Sequence, residues 1–205
     1  MDRRKIIAAM LVAAGVVMLS IPIYYHFHGQ NKTDELTQQF EEILEEKANE
    51  EAESEEEMEN NTEATLSEDD ATLFAEGEVI AILEIEGLDI RYPVVEGCSA
   101  TNLNYAIGHM SETADVGEIG NCVLAGHNGS RYGEFFTNLN QVNKGDVVTL
   151  LDREAVLHRY EVKDYFVVSP YDNSIRTQGE DEELTLFTCA EKGTKRFVVK
   201  CEPME

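Results

Sequence analysis

A cysteine that closes a strand-like run is the residue in this sequence best placed to act as a nucleophile. Residues 184–189 read Leu-Thr-Leu-Phe-Thr-Cys, and Arg196 opens the next apolar run after the connector 190–195. If the two runs form a hairpin, Cys189 and Arg196 face each other across its loop. A guanidinium beside a thiol stabilises the thiolate and can donate hydrogen bonds to an oxyanion, both of which acyl transfer requires. The second half of the constellation is residues 121–127, Asn-Cys-Val-Leu-Ala-Gly-His, an apolar run that ends in an imidazole and turns through Asn128 and Gly129. A titratable ring at a strand end beside glycine is an active-site habit more than a core one. His109, in a polar stretch, and His158, in an alternating run, compete with His127 for the acid/base role.

The other three cysteines, Cys98, Cys122 and Cys201, sit beside or within apolar runs, where a thiol is usually a small core residue. Four cysteines outside the cell would leave three disulfide pairings open. No Cys-x-x-Cys pair occurs, which weakens zinc and redox readings.

These segments resemble the sortase family of Gram-positive surface transpeptidases. Its Thr-Leu-x-Thr-Cys signature is matched by Thr185, Leu186, Phe187, Thr188 and Cys189, its Ala-Gly-His by Ala125, Gly126 and His127, and its following arginine by Arg196. The similarity covers most of residues 77–205 and looks most like class D or class A members. It implies an all-β fold, a closed eight-stranded barrel with short helices. It also implies a substrate: a secreted protein with a C-terminal sorting signal of the Leu-Pro-x-Thr-Gly type, passed through a thioester on Cys189 to an amine of a cell-wall precursor or a pilin. His127 would move the proton and Arg196 would steady the oxyanion, with the Ala190 N–H as a further donor. Thr188 would help position the substrate, and Leu103, Ile107, Val167, Val168 and Ile175 are candidates for an apolar groove, although strand packing explains all six equally well. No cofactor is required for this chemistry. Glu112, Asp115 and Glu118 lie where some class A members bind calcium, and solvated loop charge is the simpler account of them. The same residues could instead serve a hydrolase of the same fold, or a non-catalytic anchored β-domain for adhesion.

The elements that must position these residues follow from pattern. From Gly77 onward, short runs rich in Val, Ile, Leu, Tyr and Phe are separated by Gly, Asn and Asp. Strands are predicted over 78–86, 89–95, 120–126, 146–151, 156–169 with a break, 183–189 and 195–201. Residues 133–142 read as a short helix with Phe136 and Leu139 inward.

Ahead of this domain the composition changes twice. Residues 6–25 carry no charge and are long enough to cross about 30 Å of hydrocarbon as a helix. Arg3, Arg4 and Lys5, within the basic stretch 1–5, place the N-terminus in the cytoplasm and residues beyond Tyr25 outside, in a single-pass membrane arrangement. A cleaved signal peptide would have a shorter apolar run. Residues 26–76 form an acidic spacer; from 32 to 76 there are 18 acids against 2 lysines. Such a segment buries too little to offset its ordering entropy and reads as a solvated tether, although Leu36, Phe40, Ile43 and Leu44 behind Asp34 could form a short amphipathic helix. The remaining domain, 77–205, has 11 basic and 22 acidic residues, a balance that repels phosphate backbones and excludes nucleic acid as a partner.

Overall fold

The structure is a computed structural model that describes residues 3–58, 74–129 and 133–204. One long helix, α1 (Arg3–Met58), precedes eight strands: β1 (Val79–Ile85), β2 (Ile90–Glu96), β3 (Ile107–His109), β4 (Gly120–Gly126), β5 (Val147–Asp152), β6 (Leu157–Val168), β7 (Glu182–Ala190) and β8 (Lys195–Pro203). They close into a barrel in the order β1-β2-β3-β4-β7-β8-β6-β5, so no edge is left unpaired. The all-β closed barrel expected from the sequence is the fold.

Alternation places one face of each strand inside. Leu83, Ile85, Val94, Cys122, Leu124, Leu150, Tyr160, Val162, Leu184, Leu186, Val199 and Cys201 fill the interior, all almost fully buried. Seven predicted strands are present to within a few residues. The predicted break in β6 is a register shift between Val162 and Asp164 opposite β8. β3 escaped notice because three residues, Ile-Gly-His, give no periodicity to read. His109 therefore lies buried in a strand, where the sequence suggested a polar loop.

Residues 133–142 do not form the expected helix. Only Leu139–Gln141 makes a single 3-10 turn, but Phe136 and Leu139 are fully buried as anticipated. The bridge between Asn128 and Phe135 and the Phe136 N–H bond to the His127 carbonyl, 2.9 Å, claim this backbone for β pairing first.

The greatest departure concerns the spacer. α1 runs unbroken through Asp34, which is therefore not a cap, and on to Met58. Its Leu36 and Phe40 are buried against Val79, Ile82, Val95 and Ala106 on the outer side of the barrel, with Leu44, Tyr105 and Leu151 around them. A strand surface next to it supplies the apolar partner that an isolated tether lacks. Each such side chain contributes roughly 1.5–3 kcal/mol on burial, and the Glu-, Gln- and Lys-rich sequence around them favours helix. The Thr33 hydroxyl donates to the Tyr105 carbonyl at 2.8 Å, and Lys47 pairs with Glu154. The rest of the acidic spacer, residues 59–73, lies outside the described residues.

Candidate active site

Three adjacent strands bring the predicted site residues into one row. β4 and β7 are parallel, with Ala125 opposite Phe187 and Gly126 opposite Thr188. One step further sets His127 beside Cys189. β7 and β8 are antiparallel, and Cys189 is the direct partner of Arg196. Neighbouring strands lie about 4.8 Å apart, and residues in register share a face.

That face is the outside of the barrel. Cys122 and Leu124 point into the core, so Val123, Ala125 and then His127 point outward; Leu184 and Leu186 point inward, so Phe187 and Cys189 point outward. His127, Cys189 and Arg196 are all half-buried. The Asn128 side-chain N–H donates to the Cys189 carbonyl at 2.7 Å, carrying the β4–β7 seam one residue past the end of the ladder.

Each member of the row has its own local support. Gly126 precedes His127 because nothing larger fits: a Cβ there would stand 2.6 Å from Phe136 Cδ2 and 2.7 Å from Ile107 Cδ1. The His127 carbonyl is held by the Phe136 N–H, and its ring lies edge-on to Phe135 with centroids 6.5 Å apart. Burial holds the His127 imidazole below the usual histidine range, favouring the neutral ring. Glu191, Lys192 and Gly193 all take positive φ, at 49°, 59° and 90°, giving the tight reversal that starts β8 at Lys195. Arg196 Nη1 donates to the carbonyls of Gly193 (3.1 Å) and Lys195 (3.0 Å), which fixes the guanidinium by one nitrogen of its fork.

Three of the groove candidates, Leu103, Val168 and Ile175, lie around the row. Val123 and Ala125 face outward yet are buried, and the Asn173–Arg176 turn of the segment joining β6 to β7 packs against β4. Asn121 fastens that segment: its Nδ2 donates to the carbonyls of Ile175 (2.9 Å) and Thr177 (3.3 Å), and its Oδ1 accepts from the Thr185 hydroxyl at 2.6 Å. Gln178 completes the fastening through both backbone groups of Asn121. Ile175 is thereby buried on the outer face, and Leu103 reaches across Gly108, the neighbour of Ala125 in the row below His127. Val168 pairs with Arg196 and extends the row on the far side of β8.

The remaining groove candidates lie elsewhere. Ile107 is sealed in the barrel core, and Val167 pairs with Phe197 on the opposite face of its strand from Val168. Thr188 is buried with its hydroxyl given to the Gly126 carbonyl at 2.7 Å, so it ties β7 to β4 and faces away from Cys189. Ala190 pairs with Lys195 at the mouth of the turn, next to Cys189.

The competing histidines stand apart from the row: His158 lies at the start of β6, the end away from Val168, and His109 closes β3 opposite Leu124 of β4. β4 and β7 run toward the row, whereas β3 runs away from it, ending at His109. His109 Nδ1 meets Glu96 Oε2 at 2.7 Å and its Nε2 meets the Ala114 carbonyl at 3.0 Å. His158 Nε2 meets Asp152 Oδ2 at 2.7 Å. The loop bearing Glu112, Asp115 and Glu118 precedes β4. Asp115 groups with Glu96 and His109, while Glu112 and Glu118 are exposed and stand outside that group.

None of the cysteines is bridged. Cys122 and Cys201 are buried core thiols, and Cys98 is half-buried with its thiol pushed up to about 12, chiefly by burial and then by Glu96. Cys189 is the one placed beside both an imidazole and a guanidinium. Asn121, Asn128 and Gln178 were not singled out from sequence, since an amide carries no periodicity or motif of its own; the only sign was the position of Asn121 and Asn128 at either end of one apolar run.

Comparison with known proteins bears directly on this arrangement. The family model described as a sortase domain matches residues 83–204. The chain is 27% identical over 197 residues to Sortase A of Bacillus anthracis, covering 95% of this chain and 91% of that protein. It is 29% identical over 188 residues to Sortase D of Bacillus subtilis, covering 91% and 89%. Among solved structures, a Clostridium perfringens Sortase D5 transpeptidase superposes with a TM-score of 0.68 at 25% identity, over 86% of this chain and 100% of that one. Sortase A from Corynebacterium diphtheriae gives 0.60 at 26% identity, over 64% and 63%.

Proposed function

The chain belongs to the sortase family, and on that premise we propose that it is a membrane-anchored cysteine transpeptidase that joins secreted proteins to an amine at the cell surface. The observation that carries this reading is the row His127–Cys189–Arg196 on one outer face of the barrel. α1 is the helix, among the described residues, long and apolar enough to cross a membrane.

The steps follow from the residue chemistry. His127, neutral at rest, takes the proton of the Cys189 thiol, and the resulting thiolate attacks the carbonyl of the scissile peptide bond in a sorting signal of the Leu-Pro-x-Thr-Gly type, between its Thr and Gly. Arg196 faces the oxyanion that develops, where a preorganised cation is worth most. The C–N bond breaks, and His127 gives its proton to the departing amine, leaving a thioester on Cys189. An amine of a cell-wall precursor or a pilin subunit then attacks that thioester. His127 takes its proton, the C–S bond breaks, and the thiolate returns. The thioester conserves the energy of the first amide, so the residues need no nucleotide or metal.

The test is incubation of the protein with sorting-signal peptides and an amine acceptor, read by mass. A ligated product that depends on Cys189 supports transfer. Cut peptide without ligation, at saturating amine, makes the protein a hydrolase, and no product with any sorting peptide removes the enzymatic reading.

A further inference from the structure

Charge is distributed unevenly around Cys189. Residues 77–205 hold 11 bases and 22 acids, and all the bases except Arg131 are among the described residues. Arg91, Lys144, Arg153, Lys163 and Lys200 each sit against a carboxylate. Arg159, Arg176, Lys192, Lys195 and Arg196 have no such partner among the described residues. The last three of these fall within residues 192–196, on the turn that follows Cys189 and at the start of β8. Neighbouring cations repel one another, and a domain with twice as many acids as bases has carboxylates to spare for them. Kept clear of the domain's own acids, the three are available to an anion from outside.

The turn holds them in place. Glu191 and Lys192 both take left-handed φ, at 49° and 59°, a conformation that residues with a side chain adopt where surrounding bonds enforce it. The Glu191 carbonyl accepts from the Thr194 N–H at 3.3 Å and from the Thr194 hydroxyl at 2.8 Å. Arg196 Nη1 closes the turn from the other side through the Gly193 and Lys195 carbonyls. Lys192 is exposed at the tip, and Lys195, half-buried, is the direct partner of Ala190, the residue after Cys189. A cross-strand gap of about 5 Å and a step of about 3.8 Å along the chain put its ammonium on the order of 10 Å from the sulfur. Glu191, the acid between Cys189 and Arg196, is exposed and forms no ion pair with either lysine, so the turn keeps a net positive charge.

The position of the turn selects the reactant it meets. Leu103 and Ile175 lie back along the barrel from the row, beside the outward face of β4, whereas the turn lies beyond the end of β7. With the acyl part of the sorting signal on the apolar side, the turn side is left for the amine that replaces the departing fragment.

We infer that Lys192 and Lys195 form an anion-recognition patch for the acceptor, and that this acceptor is an amine carrying a carboxylate or a phosphate a few bonds from its nitrogen. The inference rests on the transpeptidase reading. A plain ammonium approaching Arg196 and two lysines is repelled, and an anionic group on the same molecule offsets that repulsion and docks on the lysines. Once it is docked, the nearby cations favour the neutral amine over the ammonium, and the neutral amine has the lone pair that attacks the thioester. The new C–N bond forms, the C–S bond breaks, and the amine's proton passes to His127 as before. The lysines make and break no bond; they set which amine is used.

The experiment uses the full chain in detergent micelles, a sorting-signal peptide without charged residues, and three acceptors of matched length: β-alanine, its neutral amide, and 2-aminoethyl phosphate. Ligation rates are read by mass for the unmodified protein, a Lys192→Gln/Lys195→Gln variant and a Lys192→Arg/Lys195→Arg variant. The rate ratio of an anionic acceptor to the amide should fall about fivefold or more in the Gln variant at low salt, return in the Arg variant, and shrink for the unmodified protein in 1 M salt. The anionic acceptor with the larger fall identifies carboxylate or phosphate as the recognised group. An unchanged ratio overturns the inference, and so does a loss that lies wholly in KM for the sorting peptide, which would assign the cations to the donor. Failure of the unmodified chain to ligate any acceptor counts against the transpeptidase reading instead, and a readout without catalysis then decides the patch. Cys189 is modified with a sulfonated and with a quaternary-ammonium methanethiosulfonate, and the anionic-to-cationic rate ratio should drop about fivefold or more in the Gln variant. An unchanged ratio there overturns the patch.

Discussion

The side chain of Asn128 donates a 2.7 Å hydrogen bond to the carbonyl of Cys189, across the seam between the loop that bears the imidazole and the strand that bears the thiol. The β4–β7 ladder stops at Gly126 and Thr188, so this bond carries the seam past the residue that must lie beside Cys189. Asn128 is exposed, and a single hydrogen bond of this kind is worth about 1 kcal/mol net. Asn128→Ala should therefore shift the unfolding midpoint little, yet lower kcat by roughly tenfold, because small misplacements of reacting groups are costly. KM should hold. Thermal unfolding and steady-state kinetics on the same preparation check this, and an unchanged kcat removes Asn128 from the positioning role.

Asn121 acts on the substrate side. It is fully buried, and its loss strands the carbonyls of Ile175 and Thr177 and the hydroxyl of Thr185. Asn121→Ala should cost about 1–3 kcal/mol in stability. Because the β6–β7 segment loses its fastening while the row of three does not, the kinetic effect should be mainly a rise in KM. A fall in kcat alone, with KM steady, would contradict that division.

Burial sets a sign for His127. Its imidazole is held below the usual range, so in the window between that lowered value and the ordinary one near 6.5 the unfolded chain binds more protons than the folded protein. Its contribution makes stability fall as pH drops through that window and is flat above it. A histidine proton titration by NMR should place the His127 midpoint below the ordinary value, and Phe135→Leu, which removes the neighbouring ring, should move it upward. A midpoint above the ordinary value would show that a nearby charge outweighs burial.

Sequence and structure agree where one residue pattern has one physical solution. The run Leu184 to Cys189 alternates about a buried face, Arg196 lies one tight turn beyond it on the partner strand, and the apolar strand ending at His127 pairs with the Cys189 strand on its other side. Three features needed the third dimension. The helical stripe of Leu36 and Phe40 looked too short to stand alone, and it does not stand alone, since β1 and β2 cover it. Ile107 and Val168 are both aliphatic strand residues, and only register tells that one faces the core and the other extends the row beside Arg196. His109 reads as a loop residue until Glu96 and Ala114 are seen to take its two nitrogens.

On the proposed function, His127 and Arg196 make Cys189 the reactive thiol of this chain. Cys122 and Cys201 are closed to reagent, whereas Cys98 is half-buried like Cys189 but has Glu96 beside it, which opposes thiolate formation. The most direct measurement is the rate of alkylation at each cysteine of the folded protein at neutral pH, read by peptide mass after brief exposure to iodoacetamide. Modification of Cys189 should be at least tenfold faster than that of Cys98, with a large drop in that rate in Arg196→Ala. Equal rates at Cys189 and Cys98 would contradict it.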